Sequence, residues 1–223
     1  MCSELTEEKE KVTKVLIADS HHIVRRGLRG LLETRPGWEV VAEAANGHDA
    51  IAAAMRTLPD VAILDCALPW MNGLESARRI RQNLAETELC MFACSAEEAV
   101  VIRALQFGVR GFVLKTDAEE ELLAAVETVS RHRPYVSCAI TQAMIGERRA
   151  HMGELPRPDI LTPREREVVQ LVAEGLSSKQ IGKKLALSIK TIECHRGAAM
   201  RKAGWSSIAD LVRYAVRNHL VQA

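Results

Sequence analysis

Between residues 14 and 131, short and mostly apolar runs alternate with amphipathic stretches. The runs at 15–19, 38–44, 61–65, 89–93 and 111–114 are rich in Val, Ile, Leu and Phe, the composition of strands inside a sheet. Between and after them, residues 22–33, 48–57, 73–83, 97–107 and 118–131 place apolar side chains at helical spacing; the first carries Ile23, Leu28, Leu31 and Leu32. Five strand–helix units with short connections predict a parallel sheet covered by helices on both faces. Right-handed crossovers leave few topologies. The expected fold is an α/β doubly wound, five-stranded, flavodoxin-like sheet, with its site at the carboxyl ends of the strands.

The period changes in LTPREREVVQLVAEGLSSKQIGKKLALSIKTIECHRGAAMRKAG, residues 161–204. Three short helices are predicted there. Thr162 caps the first, with Pro163 at its first position and Glu165 completing a capping box. Gly175 fits its end. Ser177 and Gln180 open the second, Ser188 opens the third, and Gly204 stops it. Only residues 186–188 join the second to the third, so the two helices must cross steeply, as in a helix-turn-helix. On the third helix, Ile192, His195, Ala199 and Ala203 share the inward face. Lys190, Thr191, Glu193, Cys194, Gly197, Ala198 and Arg201 are left outward, a surface suited to the major groove. Ile208, Leu211, Val212, Ala215 and Val216 form a further stripe, either closing this small all-α domain, serving as a dimer contact, or both.

The predicted division is an N-terminal extension over 1–13, the sheet domain over 14–132, a linker with a helix over 133–158, and the helix-turn-helix domain over 159–223, with its motif at 176–195. Residues 134–136 and a helix-like 139–149 extend the first domain; the prolines, glycine and mixed charges of 151–159 mark a linker. The 223 residues carry a net charge of only +1, but unevenly. From Arg157 onward there are 12 Lys and Arg against 6 Asp and Glu, while the preceding part is net acidic. A basic C-terminal module favours double-stranded DNA as its partner. The six cysteines form no CxxC pair and no zinc spacing, so reduced thiols are expected. The charged N-terminus lacks a signal-peptide core and no run reaches transmembrane length, so a cytoplasmic protein without a membrane partner is expected.

Asp19, Asp65 and Lys115 stand at the ends of the first, third and fifth predicted strands, where a doubly wound sheet brings them to one crevice. Taken singly, each Asp would serve as a helix cap and the lysine as a solvated cation. Together, two carboxylates suit a hard dication such as Mg²⁺, and the set suits a transferred phosphoryl group.

Two resemblances cover nearly the whole chain. LTPRE and KTIECH, with residues 161–220 around them, resemble the LuxR/FixJ/NarL-type DNA-binding domain. The run at 15–19, PDVAILDCALPWMNGLE from Pro59 and GFVLK from Gly111 resemble the receiver domain of bacterial response regulators. This likeness implies Asp65 as phosphoacceptor, Asp19 as the first of an acidic pair, Lys115 as the phosphoryl-contacting lysine, the Ala67 carbonyl as a metal ligand beside Asp19 and Asp65, and Phe112 at the aromatic switch position. It implies a non-enzymatic transcription regulator with a sensor histidine kinase and RNA polymerase as partners, active as a homodimer. Glu193, Cys194 and Gly197 are expected on the groove floor. Lys179, Lys190, Thr191, Arg196, Arg201 and Lys202 are expected on phosphates.

Two departures are visible. Asp19-Ser20-His21 stands where the family carries two consecutive acids, and Ala93 stands where it carries Ser or Thr. A neutral hydroxyl is a poorer Mg²⁺ ligand than a carboxylate. The departures therefore keep open a degenerate receiver working without phosphate. Trp70 is also bulkier than the family's usual residue. Two other classes stay open at this point. An enzyme on the same fold is opposed by the lack of a Gly-rich phosphate loop after the first strand. A protein-interaction module is opposed by the intact KTIECHR run.

Overall fold

The computed structural model describes residues 12–95, 97–142, 160–218 and 220–221. Six parallel strands lie in the order β2-β1-β3-β4-β5-β6: β1 (Thr13–Ala18), β2 (Trp38–Ala44), β3 (Val61–Asp65), β4 (Glu88–Ala93), β5 (Gly111–Leu114) and β6 (Tyr135–Val136). The helices α1 (His22–Leu32), α2 (Gly47–Thr57), α3 (Gly73–Asn83), α4 (Glu98–Gln106) and α5 (Glu119–Ser130) follow strands one to five.

Side-chain alternation along the strands builds two cores. Leu16, Leu64, Met91 and Phe112 point to the face packed by α2, α3 and α4. Val15, Ile17, Ile63 and Val113 point to the face packed by α1 and α5. Each such fully buried side chain contributes about 1.5–3 kcal/mol, so both faces are strongly specified.

The five-stranded sheet expected from the pattern is corrected to six. Tyr135 donates to the Arg110 carbonyl at 2.8 Å and Ser137 to that of Phe112 at 3.0 Å, adding β6 beside β5. A two-residue strand has no periodicity to read, and only the free edge of β5 creates it. The chain is helical again over 138–142, and Ile140 is fully buried in the first core. The part of the predicted linker up to residue 142 therefore belongs with the sheet. The rest of the predicted 139–149 helix and the 151–159 linker lie outside the described residues.

The second domain is α6 (Pro163–Ala173), α7 (Ser178–Leu185), α8 (Ile189–Ala203) and α9 (Ile208–Arg217). The capping boxes Thr162–Glu165 and Ser177–Gln180 both form, and Ser188 caps α8 through the Thr191 N–H. Ala186 takes a left-handed conformation in the turn between α7 and α8, and Gly204 ends α8 at φ 68°. Ser207 and Asp210 form a third box at the start of α9. Ile192 and Ala199 of α8 are fully buried, with His195 and Ala203 at the margin. On α9, Leu211 and Ala215 carry the core, while Ile208 is 53 % exposed.

The two domains share a seam that no local pattern indicated. Asn72 donates its backbone N–H to the Gln170 side chain at 2.9 Å, and Gln170 donates to the Leu68 carbonyl at 3.1 Å. Trp70 donates its N–H to Glu174 at 3.0 Å. Trp70 packs against the buried cluster of Val168, Leu171, Ile181 and Ile192, with the Lys184 ammonium 3.3 Å from its ring centroid. Glu167, buried at the same seam, lies 3.5 Å from Arg79 and 2.5 Å from Arg164. His48 Nε2 stands 2.9 Å from Glu167, an ion-pair distance, although neither atom meets hydrogen-bond geometry there. Burial pushes the Glu167 carboxyl up, but the contact with His48 and the charges of Arg164 and Arg79 outweigh it and hold the pKa below its usual value.

Candidate functional site

The crevice forms where β1, β3 and β5 end. Asp19 follows β1 directly; its N–H donates to the Ala44 carbonyl at 3.1 Å, which fixes its direction. Asp65 ends β3 and accepts from the Ala67 N–H at 3.2 Å. Lys115 follows β5, and its N–H donates to the Ala93 carbonyl at 2.7 Å. Lys115 Nζ stands 2.6 Å from Asp19 Oδ2 and 2.9 Å from Asp65 Oδ2. The three expected residues thus meet at one point. Both carboxylates are almost wholly buried, at 1 % and 2 % exposure.

Burial dominates the electrostatics. It pushes the Asp65 carboxyl above its ordinary pKa, against the charge and hydrogen bond of Lys115. Burial alone would lower the Lys115 pKa, but its hydrogen bond to Asp19 and the charge of Asp65 outweigh it and raise the value. The lysine is therefore a fixed cation, and Asp65 is a carboxylate held in a costly ionised form. Such a group gains from anything that shares its charge.

The loop after Asp65 is tightly built. Gly73 donates to the Cys66 carbonyl at 2.9 Å. A Cβ on Gly73 would fall 2.0 Å from the Asp65 carbonyl oxygen, so no other residue fits without a shift. Trp70 sits at φ 70°, a left-handed conformation unusual for a large side chain. This same stretch carries every sheet-domain atom of the Gln170–Glu174 clamp.

The residues present fit a hard dication in part. Asp19 and Asp65 supply oxygens, and Asp19, His21 and Asp65 have ligand atoms within 4.8 Å of one another, the one such cluster among the described residues. Ser20 brings a neutral hydroxyl, 3.2 Å from His21 Nδ1. Ala67 is seen through its N–H on Asp65. At the end of β4, buried Ala93 brings no hydroxyl to the crevice, and Ser95 is exposed. Phe112 is fully buried in the core.

On α8, Lys190, Glu193, Cys194, Arg201 and Lys202 are exposed, and Thr191, Arg196 and Gly197 are half-buried; Lys179 stands exposed on α7. Lys202 differs from the others. Its ammonium lies 2.7 Å from Glu165, tying α8 to the start of α6. Lys179, Lys190, Arg196 and Arg201 make no ion pair among the described residues. The sheet domain contacts the second domain through α6 and leaves Lys190, Glu193, Cys194 and Arg201 of α8 exposed.

Sequence reasoning missed Gln170, Glu174 and Glu167. Polar residues on a helix read as a solvent face, and nothing local says that a second domain covers them. Trp70 was the one available signal, an over-large residue in a loop.

Both domains have matches among known proteins. The family model for the response regulator receiver domain matches residues 15–127, and that for bacterial regulatory proteins of the luxR family matches 159–215. The oxygen regulatory protein NreC of Staphylococcus haemolyticus is 34 % identical over 214 residues, covering 93 % of this chain and 99 % of that protein. A LuxR-family two-component response regulator from Aurantimonas sp. SI85-9A1 shares 36 % identity with a TM-score of 0.58, over 60 % of this chain and 96 % of that one. The response regulator RcsB, solved in complex with DNA, shares 26 % identity with a TM-score of 0.58, over 92 % and 98 %.

Proposed function

Since the chain belongs to the two-component response regulators that join a receiver to a LuxR-type DNA-binding domain, and is a transcription regulator of that kind, we propose that phosphorylation of Asp65 governs how firmly the second domain is held. The reading rests on one observation: the loop leaving Asp65 is the loop that clamps Gln170 and Glu174. A carboxylate oxygen of Asp65 attacks the phosphorus of a phosphohistidine on a sensor kinase. The phosphorus–nitrogen bond breaks, the imidazole nitrogen leaves with its electron pair, and an acyl phosphate remains. Lys115, already 2.9 Å from Asp65, stays beside the new anion. Mg²⁺, held by Asp19, Asp65 and the Ala67 carbonyl, would draw charge from the phosphoryl oxygens when bound. The added charge shifts the 66–72 loop and loosens its hold on α6.

The freed module then reads DNA as a homodimer on paired half-sites and engages RNA polymerase. Glu193, Cys194 and Gly197 meet base edges; Lys179, Lys190, Thr191, Arg196 and Arg201 meet phosphates, with Lys202 joining once it leaves Glu165. A division into a first domain that runs from 14 to at least 142 and a second over 159–223, and a cytoplasmic location, belong to the same proposal. No helix among the described residues is long and apolar enough to cross a membrane.

The test is incubation of the full chain with a small acyl-phosphate donor or beryllofluoride and Mg²⁺. An adduct lost in Asp65→Asn, together with tighter DNA binding, is expected. No Asp65-dependent adduct would defeat the phosphoacceptor assignment. Ser20 and Ala93 favour a second reading, in which the receiver regulates without phosphate. DNA selection from a random pool would then return the same site and affinity for wild type and Asp65→Asn.

A further inference from the structure

The mismatch between the crevice and an all-oxygen cation site points to a different ligand set. Lys115 engages one oxygen of each carboxylate, Oδ2 of Asp19 and Oδ2 of Asp65. The other oxygen of Asp19, Oδ1, faces His21: it accepts the His21 N–H at 2.8 Å and lies 3.2 Å from the ring Nδ1. That nitrogen is also 3.2 Å from Ser20 Oγ. The imidazole therefore sits against the face of the crevice that the lysine leaves open. It does so beside the position where the family's second carboxylate is replaced by serine.

We propose that Asp19, Asp65 and His21 bind a divalent cation of borderline softness, such as Co²⁺, with His21 supplying the ligand that Ser20 does not. The chemistry follows from donor type. Mg²⁺ demands oxygen ligands in near-ideal octahedral geometry, whereas later first-row dications accept imidazole nitrogen readily. Two carboxylates and one ammonium leave one net negative charge for the incoming cation. His21 is 63 % exposed, so its ring turns onto the ion without disturbing the core. It also makes no side-chain cap for α1, so replacing it removes no helix-capping bond.

This inference is independent of whether Asp65 accepts a phosphoryl group. Its test is titration of the full-length protein with Co²⁺, Mn²⁺ and Mg²⁺, read by calorimetry and, for Co²⁺, by visible absorption. First-row ions outrank Mg²⁺ at many sites, so the dependence on His21 decides the matter. His21→Ala is expected to weaken Co²⁺ binding by about tenfold or more, the scale of losing a group that supports a metal, and to leave Mg²⁺ nearly unchanged. Ser20→Asp is expected to narrow the gap between Co²⁺ and Mg²⁺. Equal losses for both cations in His21→Ala, or none, would overturn the proposal. So would a thiolate charge-transfer band, which would put Co²⁺ on an exposed cysteine, or binding that survives Asp19→Asn. Adduct formation at Asp65 is read separately by intact mass, so the two readings fail independently.

Discussion

At the strand ends, Asp19, Asp65 and Lys115 share one small volume, with both carboxylates buried and each charge held by the others. On α8, Lys190, Glu193 and Arg201 stand exposed with no ion pair among the described residues. The same residue types thus do different work in the two domains. Buried charges are coupled, so removing one strands the rest. Exposed charges act nearly independently, and each changes affinity by its own increment. On the proposed function, the crevice would serve a two-state response and the helix graded recognition.

The strongest way to break this contrast is Lys115→Ala. It leaves two buried carboxylates without their cation, and a loss of about 3–5 kcal/mol is expected, measured by denaturant unfolding of the full chain. A loss as small as that of an exposed lysine would show that the crevice charges are not coupled. Next comes the seam. Gln170→Ala removes both partners of the Asn72 N–H and the Leu68 carbonyl, at about 1–3 kcal/mol for buried groups left unpaired. The expected result is a separate, lower unfolding transition for the second domain and tighter DNA binding without phosphodonor. Unchanged melting and DNA affinity would remove the clamp from the mechanism.

On α8 the effects are smaller and of another kind. Glu193→Ala should relax base preference at one position by about 1–3 kcal/mol, read by selection from a random duplex pool; an unaltered consensus would displace Glu193 from the groove floor. Lys190→Ala should weaken all sequences alike and reduce the slope of log affinity against log salt by about 1.

The smallest effect is expected at Asp65 itself. Burial raises its pKa in the fold above the unfolded value, so the folded protein takes up a proton more readily than the unfolded chain. The ionised group therefore costs stability at neutral pH, and that cost fades as pH falls through the raised value. Asp65→Asn should melt slightly higher than wild type at neutral pH, with the gap closing on acidification. A lower melting temperature would mean that the Lys115 pair outweighs burial.

Much of both sites was legible beforehand, for identifiable reasons. Asp19, Asp65 and Lys115 each close an apolar run, and a doubly wound sheet gathers strand ends by topology alone. The capping boxes at Thr162 and Ser177 and the serine cap at Ser188 are three- or four-residue patterns whose partners lie in the same turn. Gln170, Glu174 and Lys184 gave no such sign, because their partners lie nearly a hundred or more residues earlier in the chain. His21 was readable as a histidine after a serine, but not as a ring turned to Asp19.

The amino-acid order alone determined the strand and helix periods, the caps and the outward face of α8, because each depends on neighbours within about two helical turns. Tertiary structure alone decided the short β6, the clamp between the Trp70 loop and α6, the engagement of Lys202 by Glu165 and the approach of His21 to the crevice. These depend on which surfaces meet once the chain has folded back on itself, and that information is spread across distant segments. Packing between segments, not propensity within them, ties the carboxylate-lined end of the sheet to the DNA-binding module.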